Sequence, residues 1–325
     1  MLSINPGQIV NERIIIRDGE LSPEEMETKV RQLTRHGQIT GRDEKLLEAL
    51  RELNVLSLDH IDRLLWNSGV AQKTIYERMR KLARHHLVSS PRSPRNEMRA
   101  WGLEPSKVYA LGALGRYWLG AAVNDARVPQ YLKRDQILHD LLVAEFYVRA
   151  VEAALKRGEA WSLQWVGERG ASFYPRSDQP PTIAPDGLGL LAQHQVDGPA
   201  MLPFFVEFDV SRQGHGRYSS DWGRKVVGYD RFAGSQWRAH PALGNLPEFP
   251  AVLVITHGAE RILNLAAAIA EKRKSPVIYY LALWQDLPPD GDLFAAPVWL
   301  VIAPDGRLIG CEPEARQSLI VVEQA

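Results

Sequence analysis

Apolar segments of strand length recur through the last two thirds of the chain, and segments with helical periodicity separate them. The predicted strands are 161–166, 182–191, 204–210, 251–256 and 276–284, and the predicted helices are 135–157, 219–233 and 259–273. Strands made of continuous apolar residues are typical of sheets that helices cover on both faces. Residues 135–325 are therefore expected to form an α/β domain around one central sheet.

The predicted strand 204–210, with the sequence FFVEFDV, carries two acidic residues among apolar ones. Side chains alternate along a strand, so Glu207 and Asp209 share one face with Phe205. Carboxylates on an apolar strand are costly to bury. They usually face solvent, pair with a base or hold a hard cation such as Mg²⁺.

Two further residues are expected near these carboxylates. Asp186 follows Pro185 in the preceding strand region, and Lys225 lies on the next helix, one turn before Tyr229. Carboxylates that hold a metal ion beside a lysine suit phosphodiester cleavage, because the ion lowers the pKa of water and offsets charge on phosphate. The candidate catalytic residues are Asp186, Glu207, Asp209 and Lys225. A surface ion-pair network is the alternative, formed by Glu207, Asp209, Arg212, Arg224 and Lys225.

The basic residues are concentrated in one short segment. The chain has 325 residues, with 39 Lys and Arg against 39 Asp and Glu, so its formal net charge is zero. Residues 72–107 nevertheless carry nine basic and three acidic side chains. A basic patch on a neutral protein is typical of nucleic-acid binding, although a solvated helix face has the same composition.

Three helices are predicted in and before this basic segment, at 43–53, 58–66 and 71–86. Ser57 is the expected N-cap of the second helix. The third helix carries its basic residues opposite its apolar stripe. A short helix, a turn and a basic helix form the arrangement that inserts a recognition helix into the major groove. The residues of this helix expected to contact DNA are Lys73, Thr74, Arg80, Lys81 and Arg84.

A hairpin is predicted after the third helix, pairing residues 87–89 with 107–111. Its long arm contains Arg92, Arg95 and Arg99 among Pro and Ser. Such an arm is typical of a wing, a mobile basic loop that contacts phosphates and positions the protein without reading base sequence. A helix at 112–123 is expected to close the domain.

These elements predict an N-terminal winged helix-turn-helix domain of the α+β class at 40–123. It follows an N-terminal extension, 1–39, and precedes a linker, 124–134, and the α/β domain, 135–325. A winged helix that serves protein–protein contact or dimerisation is the alternative to one that binds DNA.

Taken together, these motifs resemble those of the replication-relaxation family, over about residues 40–265. The resemblance is carried by the helix–helix–basic helix–wing segment and by four short motifs. These are His139-Asp140-Leu141, Pro185-Asp186, Phe205-Val206-Glu207-Phe208-Asp209 and Arg224-Lys225-x-x-x-Tyr229. The resemblance implies a protein of a bacterial plasmid or another mobile genetic element, linked to replication and DNA relaxation.

The C-terminal domain also resembles the PD-(D/E)XK restriction-endonuclease-like fold. The resemblance implies metal binding by Asp186 and Glu207, with Glu145 as a further candidate ligand and Mg²⁺ or Mn²⁺ as the ion. The chain departs from the motif at Asp209, which stands where the lysine of the fold is expected. A lysine on the neighbouring helix can replace it in that fold, and Lys225 is the candidate. The resemblance therefore implies either an active endonuclease or a DNA-binding descendant of one.

Three functions are compatible with these features. The first is a DNA-binding protein of a plasmid or mobile element that acts in replication, relaxation or mobilisation of DNA, or in its control. The second is a Mg²⁺- or Mn²⁺-dependent DNA endonuclease, and the third is a protein-interaction scaffold. The expected partners are double-stranded DNA, other replication or mobilisation proteins of the element, and a second copy of the chain.

Other classes of protein lack their sequence signals here. A single cysteine, Cys311, excludes a disulfide framework and a multi-cysteine zinc site. No apolar run is long enough for a membrane span, and the first residues do not follow the basic-then-apolar order of a signal peptide, so a cytoplasmic location is expected. No P-loop and no dinucleotide-binding glycine motif are present in the sequence.

Overall fold

The computed structural model of the chain describes most of its residues. The described ranges are 14–15, 22–66, 69–120, 131–132, 134–175, 180–195, 200–210, 218–235, 237–303 and 307–320. By their internal contacts the residues divide into two compact units, Met1–Ala144 and Glu145–Ala325. None of the helices in the described ranges is long and apolar enough to cross a membrane.

The N-terminal unit combines short helices with a small sheet. Its helices are α1 (Pro23–Arg35), α2 (Gly41–Leu53), α3 (Leu58–Leu65), α4 (Gln72–Arg84), α5 (Arg95–Ala100) and α6 (Ala113–Trp118). Its strands are β1 (Ile14–Ile15), β2 (Val55–Ser57), β3 (Val88–Ser89), β4 (Val108–Leu111) and β5 (Tyr131–Leu132). Strands β2, β4 and β3 pair in that order in one antiparallel sheet, and β1 pairs with β5 in a separate antiparallel ladder.

The first three helices begin where the sequence supplies a capping box. The side chains of Ser22, Thr40 and Ser57 each accept a hydrogen bond from the backbone N–H three residues later, and the side chain at that later position accepts one in return. These reciprocal bonds satisfy backbone donors at the start of a helix. Helix α2 therefore begins at Gly41, two residues before its predicted start, whereas α3 begins directly after Ser57 as predicted.

The predicted hairpin after α4 is confirmed, because β3 pairs with β4 and places Ser89 opposite Ala110. Its arm, however, is not a loop throughout. Helix α5 lies within it and is held by the buried side chain of Met98. Helix α6 ends at Trp118, earlier than predicted, and is followed by Gly120 at a φ of 71°. Of the predicted linker 124–134, only residues 131–132 and 134 lie within the described ranges.

The C-terminal unit contains one large sheet and the helices that pack on it. Helix α7 (Arg134–Lys156) includes the boundary between the units. The remaining helices are α8 (Glu168–Ala171), α9 (Tyr218–Ser235) and α10 (Ala259–Lys272). The strands are β6 (Trp161–Gly167), β7 (Gly187–Gln193), β8 (Ala200–Asp209), β9 (Ala251–Thr256), β10 (Tyr279–Leu283), β11 (Leu300–Ile302) and β12 (Leu308–Ile309).

The sheet has seven strands in the order β12-β11-β10-β9-β8-β7-β6. Strands β6, β7 and β8 form an antiparallel meander, whereas β8, β9 and β10 run parallel to one another. Parallel neighbours need a crossover connection, and helices α9 and α10 lie in these two crossovers. The predicted central sheet with interspersed helices is therefore confirmed, as a sheet of mixed orientation.

The two faces of β8 contact different helices. Phe204 and Phe208 pack edge-on against Phe146 of α7, with ring centroids 6.4 and 6.1 Å apart. Phe205 points the other way and contacts Tyr229 of α9, at 5.5 Å. The predicted alternation along this strand is confirmed. It places Glu207 and Asp209 on the face that α9 covers.

The preceding strand region differs from the prediction of 182–191, because β7 begins only at Gly187. Residues Thr182 and Ile183 instead pair with Phe173, through hydrogen bonds of 2.7 and 3.0 Å. Pro185 has no backbone N–H to donate to a ladder. Asp186 thus stands just before a strand rather than within one.

Candidate functional site

A row of cations runs along the exposed side of α4. Ile75, Met79 and Leu82 are buried and define the inner face of this helix. A helix with one buried stripe presents its remaining surface to solvent. All five residues of α4 predicted to contact DNA are exposed on that surface, namely Lys73, Thr74, Arg80, Lys81 and Arg84.

These cations are not neutralised within the described part of the chain. Lys73, Arg80, Lys81 and Arg84 make no side-chain hydrogen bond or ion pair with any described residue. Glu77 is the one acidic residue of the helix. A surface with several uncompensated cations attracts polyanions, and the attraction falls as salt is added.

The other arginine of α4, Arg78, has a structural partner. Its Nε donates to Oδ1 of Asp43 at 2.8 Å, its Nη2 contacts Oδ2 of the same carboxylate, and Nη2 also donates to the carbonyl of Gln38 at 2.9 Å. Asp43 is buried and also caps α2. Burial by itself would raise the pKa of Asp43, but hydrogen bonds from Arg78 and Thr40 outweigh it and lower that pKa. This contact fixes α4 against the start of α2.

The arm of the hairpin adds three exposed cations. Arg95 and Arg99 lie one turn apart on α5, and Arg92 precedes them. None of the three makes a side-chain hydrogen bond or ion pair with a described residue. Because α5 is anchored by Met98, two of these arginines are held on a short helix and not on the mobile loop that the sequence predicts.

Two neighbouring residues belong to the same surface and were not predicted. The ammonium of Lys107, at the base of the hairpin, lies 4.9 Å from the ring centroid of Tyr76 and 3.3 Å from its hydroxyl. Tyr76 is 38% exposed although it is aromatic. Its position on α4, between Lys73 and Arg80 at helical spacing, is the sequence signal that identifies it. We use the name basic surface for Tyr76 and the exposed cations on and beside α4, α5 and β4, namely Lys73, Arg80, Lys81, Arg84, Arg92, Arg95, Arg99 and Lys107.

A second group of charged residues lies on β8 in the C-terminal unit. Glu207 is only 1% exposed, and both of its oxygens are bound by residues of α9. The ammonium of Lys225 contacts Oε2, and the hydroxyl of Tyr229 donates to Oε1 at 2.8 Å. The helical spacing of Lys225 and Tyr229 thus brings both to one carboxylate.

Burial and neighbouring charges shift the pKa values of both Glu207 and Lys225. Burial raises the pKa of Glu207 to about 7, although Lys225 opposes the shift and Asp186 adds to it. Burial would lower the pKa of Lys225, but the carboxylates of Glu207, Asp186 and Asp209 together raise it. Lys225 is thus a cation facing three carboxylates, and 40% of its side-chain surface remains exposed.

The other two carboxylates are held by different groups. Asp209 contacts Nε of Arg261 on α10, and its backbone carbonyl accepts a hydrogen bond of 3.2 Å from Thr256. Asp186 accepts a hydrogen bond of 2.6 Å from the backbone N–H of Phe208. The register pairs Gly187 with Val206, so Asp186 lies beside Glu207 at the start of β7.

The close approach of α9 depends on Gly228. A Cβ atom at this position would lie 2.4 Å from the carbonyl oxygen of Thr182, so any larger residue would push the helix outward. Gly228 precedes Tyr229 and follows Lys225 by three residues. The missing side chain therefore allows both partners of Glu207 to reach it.

Glu145 has a different environment from the other candidate ligands. Its carboxylate accepts a hydrogen bond of 2.7 Å from Arg149, one turn further along α7. The guanidinium of Arg149 stacks 4.6 Å from the ring centroid of Trp284, and Trp284 packs on Phe208. Because Phe208 and Glu207 point to opposite faces of β8, Glu145 lies on the face away from Glu207.

These contacts do not fit a divalent cation. Mg²⁺ and Mn²⁺ prefer several oxygen ligands that converge on one point. Among the described residues, Asp186, Glu207 and Asp209 do not form a group of three ligand atoms within 4.8 Å of one another. Glu207 binds Lys225 and Tyr229, and Asp209 binds Arg261. The arrangement instead suits a buried ion-pair network that ties α9 and α10 to β8.

The replication-relaxation family model matches residues 47–248, which is more than half of the chain. The chain belongs to the replication-relaxation family. The match begins in α2 and includes both α4 and the Glu207 cluster, so it spans parts of both units. No curated protein and no solved structure matches the chain. Membership of the replication-relaxation family supports a role in replication or relaxation, with DNA or replication proteins as partners.

Proposed function

We propose that this chain is a non-catalytic, double-stranded-DNA-binding protein of a bacterial plasmid or other mobile element, acting in replication, relaxation or mobilisation of its DNA. The observation that carries the proposal is the basic surface, whose cations on α4 and α5 lack acidic partners among the described residues. Several exposed cations along one helix attract a polyanion such as DNA.

The order of elements in the N-terminal unit supports a winged helix-turn-helix. Helix α2, strand β2, helices α3 and α4, and the β3–β4 hairpin follow one another, and the three strands form one antiparallel sheet. In this arrangement the third helix enters the major groove and the hairpin arm approaches the backbone. Arg92, Arg95 and Arg99 would then contact phosphates.

The proposal predicts a specific loss on removing two cations of α4. The variant Arg80→Ala/Arg84→Ala is expected to bind duplex DNA about 10- to 100-fold more weakly, because two charge-assisted contacts are lost. The slope of log affinity against log salt should fall by roughly two, since each phosphate contact contributes about 0.9. A fluorescence-anisotropy titration of a labelled duplex over several salt concentrations measures both.

The matched control is Lys45→Ala/Arg51→Ala, which removes two exposed cations from α2. It should leave the slope unchanged. Equal losses in both double variants would mean that only total charge matters, and an unchanged affinity for Arg80→Ala/Arg84→Ala would remove α4 from the interface. Absence of any binding by the natural chain at low salt would favour the protein-interaction scaffold.

A metal-dependent endonuclease is the second candidate. It is favoured by the order α7, β6, α8, β7, β8, α9 and β9. Apart from the one-turn helix α8, this order is a helix, three antiparallel strands, a helix and a parallel strand, which suits the PD-(D/E)XK fold. Asp186 also lies beside Glu207, and Lys225 contacts Glu207. We favour the non-catalytic alternative because Glu207 and Asp209 are bound to cations of the protein itself.

A nicking assay separates these two candidates. Supercoiled plasmid incubated with the protein and Mn²⁺ is expected to stay supercoiled, because a divalent ion would have to displace Lys225 from a buried carboxylate. Nicking by the natural chain that disappears in Asp186→Asn/Glu207→Gln would overturn the non-catalytic proposal. Nicking that persists unchanged in this isosteric variant does not come from the Asp186–Glu207 site.

A further inference from the structure

A cleft of about 200 Å³ opens in the N-terminal unit between α1, the end of α4 and α6. Its lining includes Lys29 and Gln32 of α1 and Arg84 of α4, together with His36 and His85, which directly follow these two helices. Among the described residues, no acidic side chain lines it. A small cleft with this composition offers hydrogen-bond donors and positive charge to whatever enters it.

The donors in this cleft are not used within the described part of the chain. The side chains of Lys29, Gln32, Arg84 and His85 make no hydrogen bond or ion pair with any described residue. Burial lowers the pKa of His85, and the cations around it lower it further: Lys81, Arg84 and Arg78 on α4, and Lys29 on α1. Arg78 forms an ion pair with Asp43, whereas the other three form no ion pair with a described residue.

Several carbonyls at the helix ends beside the cleft are already bonded within the backbone. At the end of α4, the N–H groups of His86 and Leu87 donate to the carbonyls of Ala83 and Leu82, at 3.0 and 3.1 Å. At the end of α1, the N–H of Gln38 donates to the carbonyl of Leu33 at 3.0 Å. Such bonds satisfy the last carbonyls of a helix. Within the described lining, the cleft therefore presents hydrogen-bond donors and no carboxylate.

We propose that this cleft binds a phosphate group, which in the DNA complex is one phosphate of the duplex backbone. The inference rests on the proposed function, since Arg84 belongs both to the cleft and to the basic surface of α4. Phosphate oxygens accept several charge-assisted hydrogen bonds at once, which suits Lys29, Arg84 and His85. The site would extend the interface beyond α4 to α1, whose Lys29 lies outside the family-matched residues.

A bound phosphate would also couple binding to proton uptake. An anion beside His85 favours its charged form, so the pKa of His85 should be higher in the complex than in the free protein. Affinity should therefore rise as pH falls through the range in which free His85 is neutral and bound His85 is protonated. Lys29, Lys81, Arg84 and the Asp43-paired Arg78 are the charged groups that act on His85. His36 also lines the cleft.

The test is a salt and pH titration of duplex binding by the full chain and its variants. Lys29→Ala is expected to reduce affinity about tenfold and the log–log salt slope by about one. His85→Gln should abolish the rise of affinity at low pH. Lys45→Ala, an exposed cation on α2, is the matched control and should change neither. Thermal unfolding of each variant verifies that it is folded. If Lys29 merely stabilised a helix end, its removal would alter the melting temperature without altering the salt slope of DNA binding.

The outcomes separate this inference from the proposed function. Suppose that the natural chain binds DNA, that Lys29→Ala has the same affinity and the same log–log salt slope, and that His85→Gln has the same pH dependence. The cleft is then not a phosphate site, although the protein binds DNA. If the natural chain does not bind DNA, the backbone phosphate is excluded as the ligand together with the proposed function. A titration with inorganic phosphate then tests whether the cleft binds phosphate at all. A saturable shift of the His85 ring resonances supports a site for free phosphorylated ligands, and the absence of a shift overturns the site.

Discussion

Replacing Arg78 with alanine is expected to lower the free energy of unfolding by about 3–5 kcal/mol, because the carboxylate of Asp43 would remain buried without its cation. Asp43 is 1% exposed and receives two bonds from this guanidinium. Chemical denaturation monitored by circular dichroism measures the loss. Arg31→Ala, at a side chain that is 77% exposed, is the control and should change the free energy by less than about 1 kcal/mol.

A second substitution tests whether the unpaired charge causes this loss. Adding Asp43→Asn to Arg78→Ala removes the buried charge and keeps a side chain that can cap α2. The double variant should therefore be more stable than Arg78→Ala alone. Because partners lower the pKa of Asp43, the contribution of the pair should be present above the ordinary aspartate pKa and lost as pH falls through the folded value. Equal stability of the single and double variants would assign the loss to packing of the Arg78 stem.

The second large effect concerns pH and Glu207. Burial raises the pKa of this carboxyl from 4.5 to about 7, so between these values the folded chain binds a proton that the unfolded chain has released. Its contribution to stability is therefore fully present below about pH 4.5 and is lost as pH rises to about 7. The free energy of unfolding should therefore fall by at most about 1.4 kcal/mol per pH unit, or by about 3 kcal/mol between pH 4.5 and 7.

The substitution Glu207→Gln should remove this slope, because glutamine does not titrate and still accepts a hydrogen bond from Tyr229. Unfolding free energies measured at several pH values between 4.5 and 7 provide the comparison. Glu271→Gln, at a side chain that is 66% exposed on α10, is the control and should retain the natural slope. A Glu207→Gln variant with the same pH dependence as the natural chain would show that this carboxyl is ionised throughout the window.

Periodicity predicted the elements of the fold that depend on local sequence. The apolar stripe of α4, the alternation along β8 and the cap at Ser57 each express a short-range rule, and the structure agrees with all three. Helix α5 was missed because its six residues lie among Pro, Ser and Arg, and Met98 is its one buried residue. A contact made by tertiary packing leaves no periodic signal in so short a segment.

The candidate sites, too, could be predicted only where they depend on local sequence and not on tertiary packing. The exposed residues of α4 follow from one helix, so their shared surface could be predicted from spacing. The role of Arg78 could not be predicted, because its partner Asp43 is 35 residues away and four other basic residues of α4 give the same compositional signal. Likewise, nothing in the sequence indicates that Glu145 and Glu207 lie on opposite faces of β8, since this depends on the side of the sheet on which α7 packs.

The parallel placement of β9 beside β8 has a consequence for the nascent chain. Strands β6 to β8 leave the ribosome before α9, β9 and α10. Strand β9 can pair with β8 only after the crossover that contains α9 has been synthesised, and such non-local contacts form slowly. During that interval β8 presents an unpaired edge with the run FFVEFDV. Two charges in that run oppose edge-to-edge aggregation, as charged residues on strands generally do. The carboxylates that become buried partners of Lys225 and Arg261 thus protect the unfinished sheet before those partners exist.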